Sequence, residues 1–168
     1  MILKIRKNRP NWAVFNWLRG MDLNQRPPDY ENENKRRCAF EILFRLSAEP
    51  ERGKLVKTVE IRKNGEAIAK VWHARGYFAR LRGLLGRTIP EGGGMLLTPC
   101  NAIHTIGMGY GIDALYLDRE GRVLRVDEAI APGKVMPLQR GAKHVLELPE
   151  GCANRRGISA GDVLEVIR

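Results

Sequence analysis

The sequence predicts a mainly β fold, a small antiparallel β-barrel or rolled sheet with one packed α-helix. Three observations predict it. From Leu55 onward, about seven or eight short apolar runs are separated by turns rich in Gly and Asn, the pattern of a small all-β domain. One stretch alone, Arg75 to Arg87, changes to a helical period. Before Leu55 nothing has a pattern that packs, so a domain is expected over residues 54–168 and a disordered or misread extension over residues 1–53.

Each element follows from local chemistry. Val56 to Lys63 reads as a strand, and Asn64-Gly65 supplies the pair that a type I′ turn needs, because both central residues take positive φ. Ala67 to His73 is then the second arm of a hairpin. In Arg75 to Arg87, Tyr77 or Phe78 with Leu81, Leu84 and Leu85 forms one apolar stripe, with Arg75, Arg80, Arg82 and Arg87 mostly off it. After the glycine loop ending at Gly94, Met95 to Thr98 and Ile103 to Met108 read as short strands. Ile112 to Leu117 and Arg122 to Val126 flank Asp118-Arg119-Glu120-Gly121 as a second hairpin. A connection from Ala131 to Gly141 leads into His144 to Leu148, and Gly161-Asp162 turns into Val163 to Ile167.

Residues 19–37 are polar, contain two prolines and cannot bury enough apolar surface to offset their ordering entropy. The string Gly20-Met21-Asp22-Leu23-Asn24-Gln25-Arg26-Pro27 resembles a phrase of doubtful reading frames. The expected start is therefore near Leu55 or Val56, from a non-ATG codon. Charge excludes little. The chain carries 29 Lys and Arg against 19 Asp and Glu, and the excess is spread, +4 over residues 1–53 and +6 over 54–168. A spread excess favours weak, salt-sensitive contact with polyanions, so nucleic-acid binding is expected to be non-specific. No run approaches the roughly 18 apolar residues that span a bilayer. The chain as written is expected in the cytoplasm, or exported if the true start differs. Cys38, Cys100 and Cys152 form no C-x-x-C pair, so no disulfide framework or zinc knuckle is predicted.

Several ordered fragments together resemble one family. They are Arg80-Leu81-Arg82-Gly83-Leu84-Leu85-Gly86-Arg87, Gly94-Met95-Leu96-Leu97, Met108, and Ile112-Asp113-Ala114-Leu115-Tyr116-Leu117-Asp118. Gly121-Arg122-Val123, Pro132-Gly133, Val145-Leu146-Glu147-Leu148-Pro149-Glu150-Gly151, Gly157-Ile158 and Gly161-Asp162-Val163 continue the series. In that order they resemble DUF192, over roughly residues 73–167. The resemblance implies a small β-rich domain with one helix, found in bacteria and archaea, often behind an export signal, and without an established biochemical activity. The chain departs from the family around Cys100 to Gly109, where Gly107 stands in place of an aromatic before the methionine. No export signal is expected from the N-terminal residues as written.

Two residue sets are candidates for chemistry. Cys100, His104 and Met108, spaced by four, offer thiolate, imidazole and thioether, a set that suits Cu(I). In a straight strand their ends would stand ~27 Å apart, so the commoner outcome is core filling, with no metal held. The second set joins Arg80, Arg82 and Arg87 on the helix to Asp113 and Glu147 on strands. Such arginines could hold an anionic ligand, with His104 beside them, or could pair internally with the two carboxylates, and internal pairing is the preferred reading. No nucleophile elbow, phosphate loop or zinc-protease motif occurs, and no cofactor is expected. The function expected is a ligand- or partner-binding accessory domain, its partner a small anion or another protein. Copper handling, a Cys/His-dependent enzyme and weak nucleic-acid binding are the alternatives.

Overall fold

The computed structural model describes residues 57–167. The expectations for residues 1–53 and for a boundary at residue 54 lie outside the described residues. Strand β1 (Lys57–Lys63) and strand β2 (Glu66–Ala74) form the expected hairpin, with Asn64 and Gly65 at φ of 51° and 82°. Both central turn residues thus sit in the left-handed region, as a type I′ turn requires.

Helix α1 (Tyr77–Arg82) is shorter than the expected span of Arg75 to Arg87. Gly83, at φ 51°, ends it, and its N–H donates to the Ala79 carbonyl at 3.0 Å. Leu84 and Leu85 are buried, as the apolar stripe predicted, but in the turns that follow the helix. The chain then enters strand β3 (Met95–Leu97), which pairs parallel to β2, Trp72 opposite Met95 and Ala74 opposite Leu97. A helix between two strands is the crossover that a parallel pair needs.

Strands β4 (Ile112–Leu117), β5 (Val123–Ile130), β6 (His144–Pro149) and β7 (Leu164–Ile167) complete one seven-stranded sheet. Its order is β5-β4-β6-β3-β2-β1-β7, and every pair except β2–β3 is antiparallel. The sheet curls into a half-barrel whose edge strands are pinned together where β5 begins. There Val123 N–H donates to Asp162, Gly161 N–H to Val123 and Leu164 N–H to Gly121, at 2.8–2.9 Å.

Two sequence expectations need correction. Ile103 to Met108 is not a strand, because its amides and carbonyls serve the 131–139 connection instead. His104 makes one bridge to Val135, and the buried Thr105 hydroxyl donates to Ala131 O at 2.7 Å and accepts from Lys134 N–H at 2.9 Å. There is also a second helix, the four-residue α2 (Cys152–Arg155).

Strand alternation sorts the core into two layers. Inside the half-barrel lie Val59, Ile61, Val71, Leu96, Leu115, Leu117, Leu146 and Leu148, closed by Cys152, Ala153 and Ile158 at and after α2. On the outer face lie Ala74, Met95, Leu97, Ile112, Ala114, Tyr116 and Val145, covered by Leu84, Ile103 and the flank of α1. Helix α1 and the turns after it therefore cover the outer face of the sheet. No helix among the described residues is long and apolar enough to cross a membrane.

Candidate functional site

Asp113 and Glu147 stand on neighbouring strands, β4 and β6, but their side chains face opposite sides of the sheet. Asp113 is level with Leu148 and points inward, whereas Glu147 is level with Ala114 and points outward. They cannot belong to one cluster. The Asp113 carboxylate, fully buried, accepts N–H bonds from Ala129 at 2.9 Å, Gly151 at 3.1 Å and Ala153 at 2.8 Å. It thereby holds the start of α2 and the end of β5 against β4. No arginine takes part, and the expected pairing of Asp113 with Arg80 or Arg82 is not formed.

Glu147 has a different environment. It is 3 % exposed, and its Oε2 has no hydrogen-bond partner. Gly83 packs directly over it: a Cβ at that position would lie 3.5 Å from Oε2. Burial pushes the Glu147 carboxyl up to about 8, so at neutral pH it holds its proton. The expected arginine pairing fails here too, since the ion pairs among the described residues are Arg62–Glu60, Lys63–Asp162 and Arg125–Asp127.

The other predicted residues gather around the last turn of α1. The His104 ring lies against the Leu81 backbone carbonyl, and burial pushes its imidazole below the ordinary value, so it is neutral. Its Nδ1 is buried without a partner, as is Arg82 Nε. Arg80 Nη1 donates to the carbonyls of Arg75 and Thr98. Arg87 stands 5.2 Å from the centre of the Trp72 ring. Each of the three arginines is at least half sheltered, so they do not present the open basic face that non-specific nucleic-acid binding would use.

Cys100 and Met108 pack as partly buried members of the outer core. The Cys100 thiol donates to Ala102 O at 3.1 Å, and burial raises its pKa despite that bond. A protonated thiol bonded to a carbonyl and an imidazole turned to Leu81 do not make a nucleophile and base. Among the described residues, no three His, Cys, Asp or Glu side chains converge as metal ligands.

Sequence reading missed four residues here. Tyr110, from the loop before β4, donates its hydroxyl to Arg87 O at 2.7 Å and so ties that loop to the turns after α1. Thr98, just after β3, holds His73 Nε2 at 3.2 Å and His144 Nδ1 at 2.9 Å on one hydroxyl. One hydroxyl, with one donor and two acceptor sites, thus links two rings from separate strands. Thr98→Val should lower stability by about 1–2 kcal/mol in urea unfolding, while Thr98→Ser stays near wild type. An unchanged Thr98→Val midpoint would show that the bridge contributes nothing.

Residues 59–166 match the model of one family, DUF192, described as "Uncharacterized ACR". The chain belongs to the DUF192 family. No curated protein matches it. Two solved structures are similar: a suggested transcription regulator from Sinorhizobium meliloti 1021 and a protein of unknown function from Novosphingobium aromaticivorans DSM 12444. The first is 24% identical with a TM-score of 0.59, covering 68% of this chain and 98% of its own. The second is 22% identical with a TM-score of 0.59, covering 70% of this chain and 89% of its own. At these identities the likeness shows the DUF192 fold, and the site must be argued from the residues above.

Proposed function

We propose that this DUF192 domain is a binding module for a small anionic ligand, taken up beneath the last turn of α1. One observation carries the reading: Arg82 Nε, His104 Nδ1 and Glu147 Oε2 are buried without partners around the consecutive residues Leu81, Arg82 and Gly83. Each such atom costs about 1–3 kcal/mol, so three in one turn call for a ligand that satisfies them. Charge supports an anion. Glu147 holds its proton and cannot neutralise Arg80 or Arg82, which leaves the turn positive.

One group argues for binding over catalysis: the Cys100 thiol is protonated at neutral pH and donates to the Ala102 carbonyl. A thermal-shift screen of the full chain against small carboxylates and phosphates tests the reading. At least one anion should raise Tm by several degrees, and the shift should vanish in Arg82→Gln and shrink in His104→Gln. If no anion raises Tm, or the shift survives Arg82→Gln unchanged, the reading fails.

A further inference from the structure

The outer face of the sheet changes character along β2. Near Ala74 it is covered by the outer core, and near Glu66 it is open to solvent. Trp72 stands at the border, half-buried, level with Thr58 on β1 and Met95 on β3. Lys70, two residues back, shares its face and makes no ion pair among the described residues. The glycine loop runs alongside, with Lys70 N–H donating to Gly92 O at 2.8 Å and Trp72 N–H to Gly94 O at 3.0 Å. Between that loop and the side chains of Thr58, Lys70 and Trp72 lies a cleft of about 290 Å³. This cleft is separate from the polar cluster under α1, with buried Met95 between Trp72 and Glu147 in the same row.

We propose that the cleft binds a small aromatic carboxylate, its ring against Trp72 and its carboxylate on Lys70. The chemistry of the walls selects that class. An indole at a solvent border offers a flat apolar contact, and aryl groups meet it in stacked or edge-on geometry. An ammonium is a point charge that attracts a carboxylate without demanding a bidentate fork. Alternate residues on a strand stand roughly 7 Å apart, so the ring and the carboxylate are joined by a short arm. Lys70 is the cation of the lining and Glu91 its carboxylate, Arg87 stands over the Trp72 ring, and Glu60 is already paired with Arg62. The volume lies at the lower end for ligand pockets, enough for one ring and too small to enclose a nucleotide.

The test titrates the full chain with 3-phenylpropionate and follows amide and indole N–H signals by NMR. Shifts should concentrate at Thr58, Lys70, Trp72 and residues 90–94. Lys70→Glu and Trp72→Leu should each raise Kd at least tenfold, as should replacing the probe by propionate or 3-phenylpropanol, while Arg119→Gln, in the exposed turn between β4 and β5, leaves Kd unchanged. Because Lys70 is exposed, Lys70→Glu reads binding even if Trp72→Leu fails to fold. Wild-type affinity in Lys70→Glu, shifts centred elsewhere, equal binding of propionate, or displacement of the probe by an oligonucleotide would each overturn the proposal.

Discussion

Replacing Asp113 with alanine should cost the domain about 3–5 kcal/mol, the loss expected when a buried carboxylate that satisfies three backbone N–H groups is removed. The mechanism is not a lost ion pair. Alanine leaves the amides of Ala129, Gly151 and Ala153 without this acceptor, and Ala153 is itself fully buried in the inner core. Gly151 precedes α2 and Ala129 sits near the end of β5, so one side chain joins three segments far apart in sequence. Asp113→Asn separates shape from chemistry. It can keep one oxygen for Ala129 and Gly151 but sets an NH2 group against the Ala153 N–H, a donor facing a donor. Its loss should therefore be smaller than alanine's but still above ~1 kcal/mol. Urea unfolding of the three proteins measures both, and an alanine variant within about 1 kcal/mol of wild type would show that these bonds do not hold the sheet to α2.

Much of this fold is legible in residues alone, because hairpins are local. Asn64-Gly65 and the Asp118 to Gly121 turn declare their strands through positive φ and turn chemistry, and alternation then gives the buried faces. The parallel β2–β3 pair was harder to see, although its signal was present: a helical stretch between two strands is a crossover. Gly83 likewise marked the end of α1 inside an apolar stripe that continued past it. What sequence could not give was register. Asp113 and Glu147 group together on sequence because both are acidic residues in apolar strands, yet only the pairing of Asp113 with Leu148 and of Ala114 with Glu147 shows that they face opposite ways. His73 and His144 share Thr98 only because β3 lies between β2 and β6, and no local pattern fixes a strand order.

Glu147→Gln should change little at pH 5 and should leave the variant clearly more stable than wild type at pH 9. The folded protein holds the Glu147 proton up to about 8, whereas an unburied carboxyl releases it near 4.5. Between those values the native state binds more protons than the unfolded chain, so stability falls as pH rises. The contribution is fully present below about pH 4.5 and is lost as pH passes through 8. The span corresponds to roughly 5 kcal/mol. Glutamine keeps the shape and has no proton to lose, so the difference between variant and wild type isolates this group. It also cancels His104, whose neutral burial acts with the opposite sign. At alkaline pH the wild-type carboxylate must find water or a cation, and Gly83 with the turn after α1 is the nearest cover to move. Faster amide exchange at Gly83 to Leu85 above pH 8 in wild type, absent in Glu147→Gln, would accompany the stability change. Parallel pH profiles for the two proteins would mean that Glu147 is already ionised in the native state, and that the positive charge assigned to the turn beneath α1 is cancelled from within.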